Sequence, residues 1–245
     1  MGVVGMAYEK LEADAVLATA QRLQARINAR FPDRNLGRVA ERLVDVASDV
    51  ERAAARSTWV KVLRVVGSVL IVVIVALSAA SLVAAIIELI RSAGSTLAWL
   101  SAVETIVNDV VYAGIAVVFL WVLPSHLERR RILGELHRLR SLAHVIDMHQ
   151  LTKDPERYAP SFQMTSQSVQ VTLSPIEMAN YLDYCSELLS LVSKTAAVYA
   201  ERSTDPAVLA TISDIENLTN GMARKIWQKL GLVPGVGGRR ADPVD

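Results

Sequence analysis

The sequence predicts an all-α protein, a two-helix transmembrane hairpin extended into a cytosolic helical bundle. Three observations predict it: a long apolar run without charge, apolar residues recurring in steps of four and three on both sides of it, and no segment with the two-residue alternation of a strand. The 245 residues carry 26 Lys and Arg against 25 Asp and Glu, so overall charge selects neither an acidic nor a basic partner. Apolar residues pile up between Val65 and Leu123, and the flanks hold nearly all the charge. Met1 to Met6 is too short for the apolar core of a signal peptide and reads as a frayed end.

The first crossing runs from Val65 to Ile87, 23 residues without a charge. At about 1.5 Å per residue they span the roughly 30 Å hydrocarbon core. After Asp109 the uncharged run Val110 to Leu123 is too short to cross alone, so the second span has to begin near Val103. That start draws Glu104, Asn108 and Asp109 into the outer part of the span. Arg52, Arg56, Lys61 and Arg64 precede the first span and Arg129, Arg130, Arg131, Arg138 and Arg140 follow the second, whereas the connection carries Arg91 alone. The positive-inside bias then puts both ends in the cytosol of a multi-pass cell-membrane protein, with the turn Ser92 to Ser95 outside. Trp59 and Trp121 fall at the inner headgroup level and Trp99 at the outer.

The chain divides into N-terminal helices over 1–58, the hairpin over 59–123, a stalk helix over 124–152, a loop over 153–173, a helical pair over 174–231 and a disordered tail over 232–245. Helical seams are Val16, Ala20, Leu23 and Ile27, then Val39, Leu43, Val46, Val50 and Ala53 beyond the break Phe31 to Arg34. Past Pro124, where a kink is expected, the seam is Ile132, Leu136, Leu139, Ala143 and Ile146. The loop supports no periodic element. Ser174-Pro175-Ile176-Glu177 has the spacing of a capping box with proline at the first helical position. Its helix carries Met178, Leu182, Cys185, Leu189, Val192, Ala196 and Tyr199. Thr204-Asp205-Pro206 opens the last helix, with Val208, Ile212, Ile215, Met222, Ile226 and Leu230 on one face and Gly231 as its stop. Seam spacing alone does not separate packing within one chain from packing between chains.

No sequence pattern supports an enzyme. Phosphate-binding loop, nucleotide fingerprint and paired catalytic carboxylates are all missing, so no catalytic residue and no cofactor are expected. His144 and His149 are five apart and diverge on a helix; His144 with Asp147 is the only suitable pair, so no metal site is expected and a helix-end hydrogen-bond network is the simpler reading. Cys185, the single cysteine, excludes an intrachain disulfide, fits a reducing compartment and reads as a packed thiol. The basic residues cluster beside the membrane spans and alternate with Glu128 and Glu135, which argues against nucleic acid.

Four groups remain as pore-lining candidates: Glu88, Glu104, Asn108 and Asp109. Acidic residues near one end of an oligomeric hairpin form a ring, and such rings favour cations. For Glu88 the favoured alternative is pairing with Arg91, and for Glu104 a place in the headgroups, which leaves Asp109 as the group at depth. Arg129, Arg130, Arg131, Arg64 and Lys61 are candidates for anionic headgroup contact. Ala76, Ala80 and Ala84 with Ser81 form a small-residue face that permits close helix approach, within the hairpin or between protomers.

The helix before Trp59, the hairpin Val65 to Leu123 with its short outer turn, and the long helix from His126 to Leu151 resemble the two-transmembrane SLATT effector domains of bacterial conflict systems. The likeness covers roughly the first three fifths of the chain. It implies a membrane effector that assembles and breaches the bilayer when a partner sensor is triggered. The leading expectation is therefore a homo-oligomeric two-span membrane protein forming a pore with Asp109 facing it. A membrane-anchored helical scaffold for a cytosolic protein partner is the alternative, and a small-ion transporter a third class.

Overall fold

The computed structural model describes residues 10–55, 58–91, 96–168, 170 and 172–235. Among them the regular structure is helical throughout: α1 (Ala13–Arg30), α2 (Leu36–Ala55), α3 (Thr58–Arg91), α4 (Thr96–Leu151), a short 3-10 turn (Pro155–Tyr158), α5 (Pro175–Ala200) and α6 (Pro206–Gly231). The all-α fold is as the sequence predicts. Positions 1–9, the turn Ser92 to Ser95, and 236–245 of the expected tail lie outside the described residues, as do the side chains of Ala53, Trp59 and Lys61.

Two compact units form, Met1–Ala55 with Ile132–Asp245, and Arg56–Arg131. In the first, the seams become one core. Ile27, Leu43, Leu136, Leu139, Ala143, Ile146, Leu182, Leu189, Ile215 and Ile226 are fully buried, and α1, α2, α5, α6 and the end of α4 all contribute. The four-and-three spacing keeps each apolar stripe on one side of its helix, and burying those stripes against one another stabilises the bundle by roughly 25 cal/mol for each Å² of apolar surface removed from water.

Local chemistry sets the joints. α1 stops at Arg30 because Pro32 disfavours helix at the residue before it, and Phe31, buried, stacks edge-on against Tyr181 and Tyr184 with centroids 5.5 and 6.1 Å away. Gly37 at the start of α2 lies where any Cβ would run into the Asn28 carboxamide. Arg26 of α1 makes a two-pronged bond to Glu187 of α5, at 2.9 and 3.1 Å, with its guanidinium 5.2 Å from the Tyr184 ring centroid. At the C-terminus of α4, the Lys229 ammonium donates to the Gln150 carbonyl at 3.1 Å, a cation where the helix dipole favours one.

The expected capping box is present, and the expected start of α6 is capped by Asp205. Ser174 Oγ accepts from the Glu177 N–H while Glu177 accepts from the Ser174 N–H, and Asp205 accepts from the N–H groups of Ala207 and Val208. Two local expectations need correction. The stretch 153–173 is not free of regular structure: Asp154 caps the 3-10 turn, Pro155 and Leu173 are buried, and the Tyr158 hydroxyl donates to the Leu173 carbonyl. α6 does end at Gly231 as expected; Leu232 stays right-handed beyond it, Val233 is buried on the core, and what needs correction is the tail, whose first residues 232–235 are ordered onto the bundle's end rather than free of it.

The second unit pairs α3 with the first part of α4. Residues 81 and 109 meet, as do 67 and 120, so the two helices run antiparallel. Val62–Glu88 and a stretch beginning at Val103 are long and apolar enough to cross a membrane, with mean hydropathies of 3.0 and 2.1, and in neither most apolar window is any residue buried. α4 continues through Pro124 without ending.

Candidate functional site

In a helix apolar on every side, the contact face can be read only from burial. Along α3 the less exposed positions are Leu63, Gly67, Ile71, Ile74, Ser78, Ser81 and Ala85, and along α4 they include Val103, Ile106, Asp109, Ala113, Ala116 and Leu120. Both series step by three and four, the spacing of a seam between two helices. Its α3 side is rich in small residues, which lets the backbones come close.

Gly67 is the one buried position among the described residues of this unit. A Cβ there would stand 3.6 Å from the Leu120 carbonyl oxygen. That carbonyl is special within α4. Its helical partner would be the N–H of residue 124, and Pro124 has none, so the oxygen lacks its intrahelical bond and faces the smallest residue of the neighbouring helix.

Nearer the other end, Ser81 Oγ donates to Asp109 Oδ2 at 2.5 Å. Ser78, Ala79, Leu82, Ile106, Asp109 and Val110 enclose a cavity of about 130 Å³ beside this bond. Two residues proposed from sequence for different reasons, one for packing and one for pore lining, are thus a single hydrogen-bonded pair across the hairpin.

The other candidates are placed elsewhere. Glu104 and Asn108 are exposed and, at about 100° per residue, lie on the face of α4 opposite the seam. Tyr112, exposed at 70%, lies one turn beyond Asn108, on the flank of the seam rather than opposite it. Glu88 is exposed near the end of α3. Ala76 and Ala80 are exposed on the side of α3 away from α4 and Ala84 is exposed on its flank, so close packing within the hairpin uses Gly67, Ser78, Ser81 and Ala85 instead. Arg64, Arg130 and Arg131 are exposed and Arg129 is half-buried; the Lys61 side chain lies outside the described residues.

No group of three or more His, Cys, Asp or Glu side chains is gathered for a metal among the described residues. His149 Nδ1 instead lies 3.4 Å from the Tyr181 hydroxyl, with burial and then the Lys153 charge holding its pKa below the ordinary value, and Asp147 accepts from Gln150 at 2.6 Å. The Cys185 thiol is fully buried and pushed up to about 12 by desolvation.

Gly67 and Ser78 escaped the sequence reading; the Pro124 offset of four from Leu120 was the only available signal for the first. Fold and site together define an all-helical protein with two helices long and apolar enough to cross a membrane. No protein-family model matches the chain, no curated protein matches it, and no solved structure matches it.

Proposed function

We propose that the protein spans the membrane twice with both ends cytosolic, and that several copies associate through the outer faces of the hairpin into an assembly that permeabilises the bilayer. The observation that carries this reading is the pair Glu104 and Asn108, exposed on the face of α4 opposite its seam with α3. On a lone hairpin that face would meet lipid, where polar side chains are costly. A neighbouring copy or a water-filled lumen satisfies them. The Ala76, Ala80 and Ala84 face, exposed on α3, supports the same reading because small residues allow helices from two copies to approach.

In this assembly Glu104 and Asn108 act at the lumen surface, and Asp109 acts from within the hairpin, held by Ser81. The SLATT resemblance implies the same mode of action, with α5 and α6 an addition to that layout. Exposed Arg64, Arg130 and Arg131 serve as headgroup contacts on the cytosolic side.

Mass photometry of the nanodisc-reconstituted protein, followed by ion flux in liposomes made from the same preparation, tests the reading. A ring-sized oligomer with flux that falls in Asn108→Leu is the expected result. A monomer without flux would overturn it in favour of a membrane-anchored scaffold, which the separate core of the α1, α2, α5 and α6 unit also suits.

A further inference from the structure

Between α2 and the last part of α4, within the unit Met1–Ala55 with Ile132–Asp245, lies an open groove of about 670 Å³. That volume is in the range of small-molecule sites, roughly 300 to 1,000 Å³, and far exceeds what a bare inorganic ion requires. Its polar lining is cationic. Arg38 and Arg42 are contributed by successive turns of α2, and His137, Ser141 and His149 by α4.

The two α2 arginines differ from the third arginine of the groove. Arg138 is held by Asp49 at 3.1 Å and by Glu135 at 2.7 Å, so its charge is already answered. Arg38 donates to the neutral Asn35 carboxamide, and among the described residues neither Arg38 nor Arg42 is ion-paired with an acid. Arg38 and Arg42 thus bring two guanidiniums, one helical turn apart on α2, to the same groove, and a guanidinium fork matches the oxygens of a phosphate bidentately. Ser141 and His137 add a hydroxyl and an imidazole from the facing helix. Val39 and Val145 form apolar wall between these polar groups, suited to a carbon-bearing body attached to the phosphate.

We propose that this groove binds the phosphate of an organic phosphate, with Arg38 and Arg42 as its principal ligands and His137 and Ser141 closing from α4. The chemistry is shared by a soluble phosphate ester and by a phospholipid headgroup, and the test separates them.

Full-length protein in phosphatidylcholine nanodiscs is titrated calorimetrically with ATP and, separately, with dihexanoyl phosphatidylglycerol below its micelle concentration. The expected result is binding of at least one probe that weakens about tenfold or more in Arg38→Gln and in Arg42→Gln, the scale of losing a charge-assisted pair. Arg22→Gln on α1 should leave it unchanged. Binding of ATP under this pattern assigns a soluble ligand, and binding of the lipid analogue alone assigns a headgroup. Arg42→Lys, which keeps the charge but loses the fork, should bind with intermediate affinity and serves if a glutamine variant loses its helical circular dichroism. Absence of binding by both probes, or binding undiminished in the arginine variants, overturns the proposal. Neither outcome bears on oligomerisation or flux, so this site and the pore reading fail independently.

Discussion

Ser81 donates its hydroxyl proton to Asp109 across the hairpin, joining α3 to α4 at 2.5 Å in surroundings otherwise made of Ser78, Ala79, Leu82, Ile106 and Val110. Removing the donor leaves a half-buried carboxylate without this bond. Ser81→Ala should therefore weaken the α3–α4 pairing by about 1 to 3 kcal/mol. Titration of the reconstituted protein with denaturing detergent, followed by helical circular dichroism, measures it; an unchanged midpoint would show that the bond contributes nothing net. Asp109→Asn retains an acceptor and should be milder than Asp109→Leu.

Gly67 allows the approach to Leu120, and a Cβ there stands at ordinary contact distance, 3.6 Å. Gly67→Ala should be tolerated, whereas Gly67→Leu has to push the helices apart. We expect hairpin pairing, read as cross-linking between engineered cysteines at 74 and 113 in a Cys185→Ser background, to persist in the alanine variant and fall in the leucine variant. Equal cross-linking in both would remove the close approach from the account.

Cys185 reports on the integrity of the bundle. Its thiol is raised from the ordinary 9.0 to about 12 by burial, so it stays protonated, and its contribution to stability is present below pH 9.0 and is lost as pH rises through the folded value. At pH 8 a thiol reagent should react only after unfolding. Rapid reaction with the native protein would contradict the packing of α5.

The start of α5 depends on reciprocal bonds between Ser174 and Glu177. Ser174→Ala should lower bundle stability by about 1 kcal/mol. The backbone N–H of Ser174, then its hydroxyl, hold the Glu177 carboxyl below its ordinary 4.5. A depressed carboxylate stabilises above that ordinary value, and the contribution fades as pH falls through the lower folded value. The gap in denaturation midpoint between wild type and Glu177→Gln at neutral pH should thus close as pH falls through that lower folded value; a gap that stays constant on acidification would assign the effect elsewhere.

Leu139 is fully buried on the part of α4 that enters the bundle. Leu139→Ala should destabilise by about 2 to 5 kcal/mol and loosen hydrogen exchange in the helices of the bundle core, α5 included. Protection unchanged in α5 would mean that this part of α4 is not integral to the core.

The sequence by itself determined the helices of the bundle and the sides they bury. Val16 to Ile27 and Val208 to Leu230 alternate apolar with polar residues, and that contrast fixes each face before any partner is known, whereas α5 also buries Ala179, Tyr181, Tyr184, Leu188 and Leu191 outside its expected seam. Caps at Ser174 and Asp205 were equally legible, because a cap is satisfied by backbone groups within a few residues. The length and apolarity of α3 and of the first part of α4 were legible too. What only the tertiary structure decided is which side of α3 meets α4. A helix apolar all round carries no hydropathy contrast, so nothing local separates Ala76, Ala80 and Ala84, exposed, from Gly67, Ser78 and Ser81 in the seam. The pairing of Ser81 with Asp109 and the groove of Arg38 and Arg42 with His137 likewise join residues far apart in the chain, and such contacts exist only once the helices have packed.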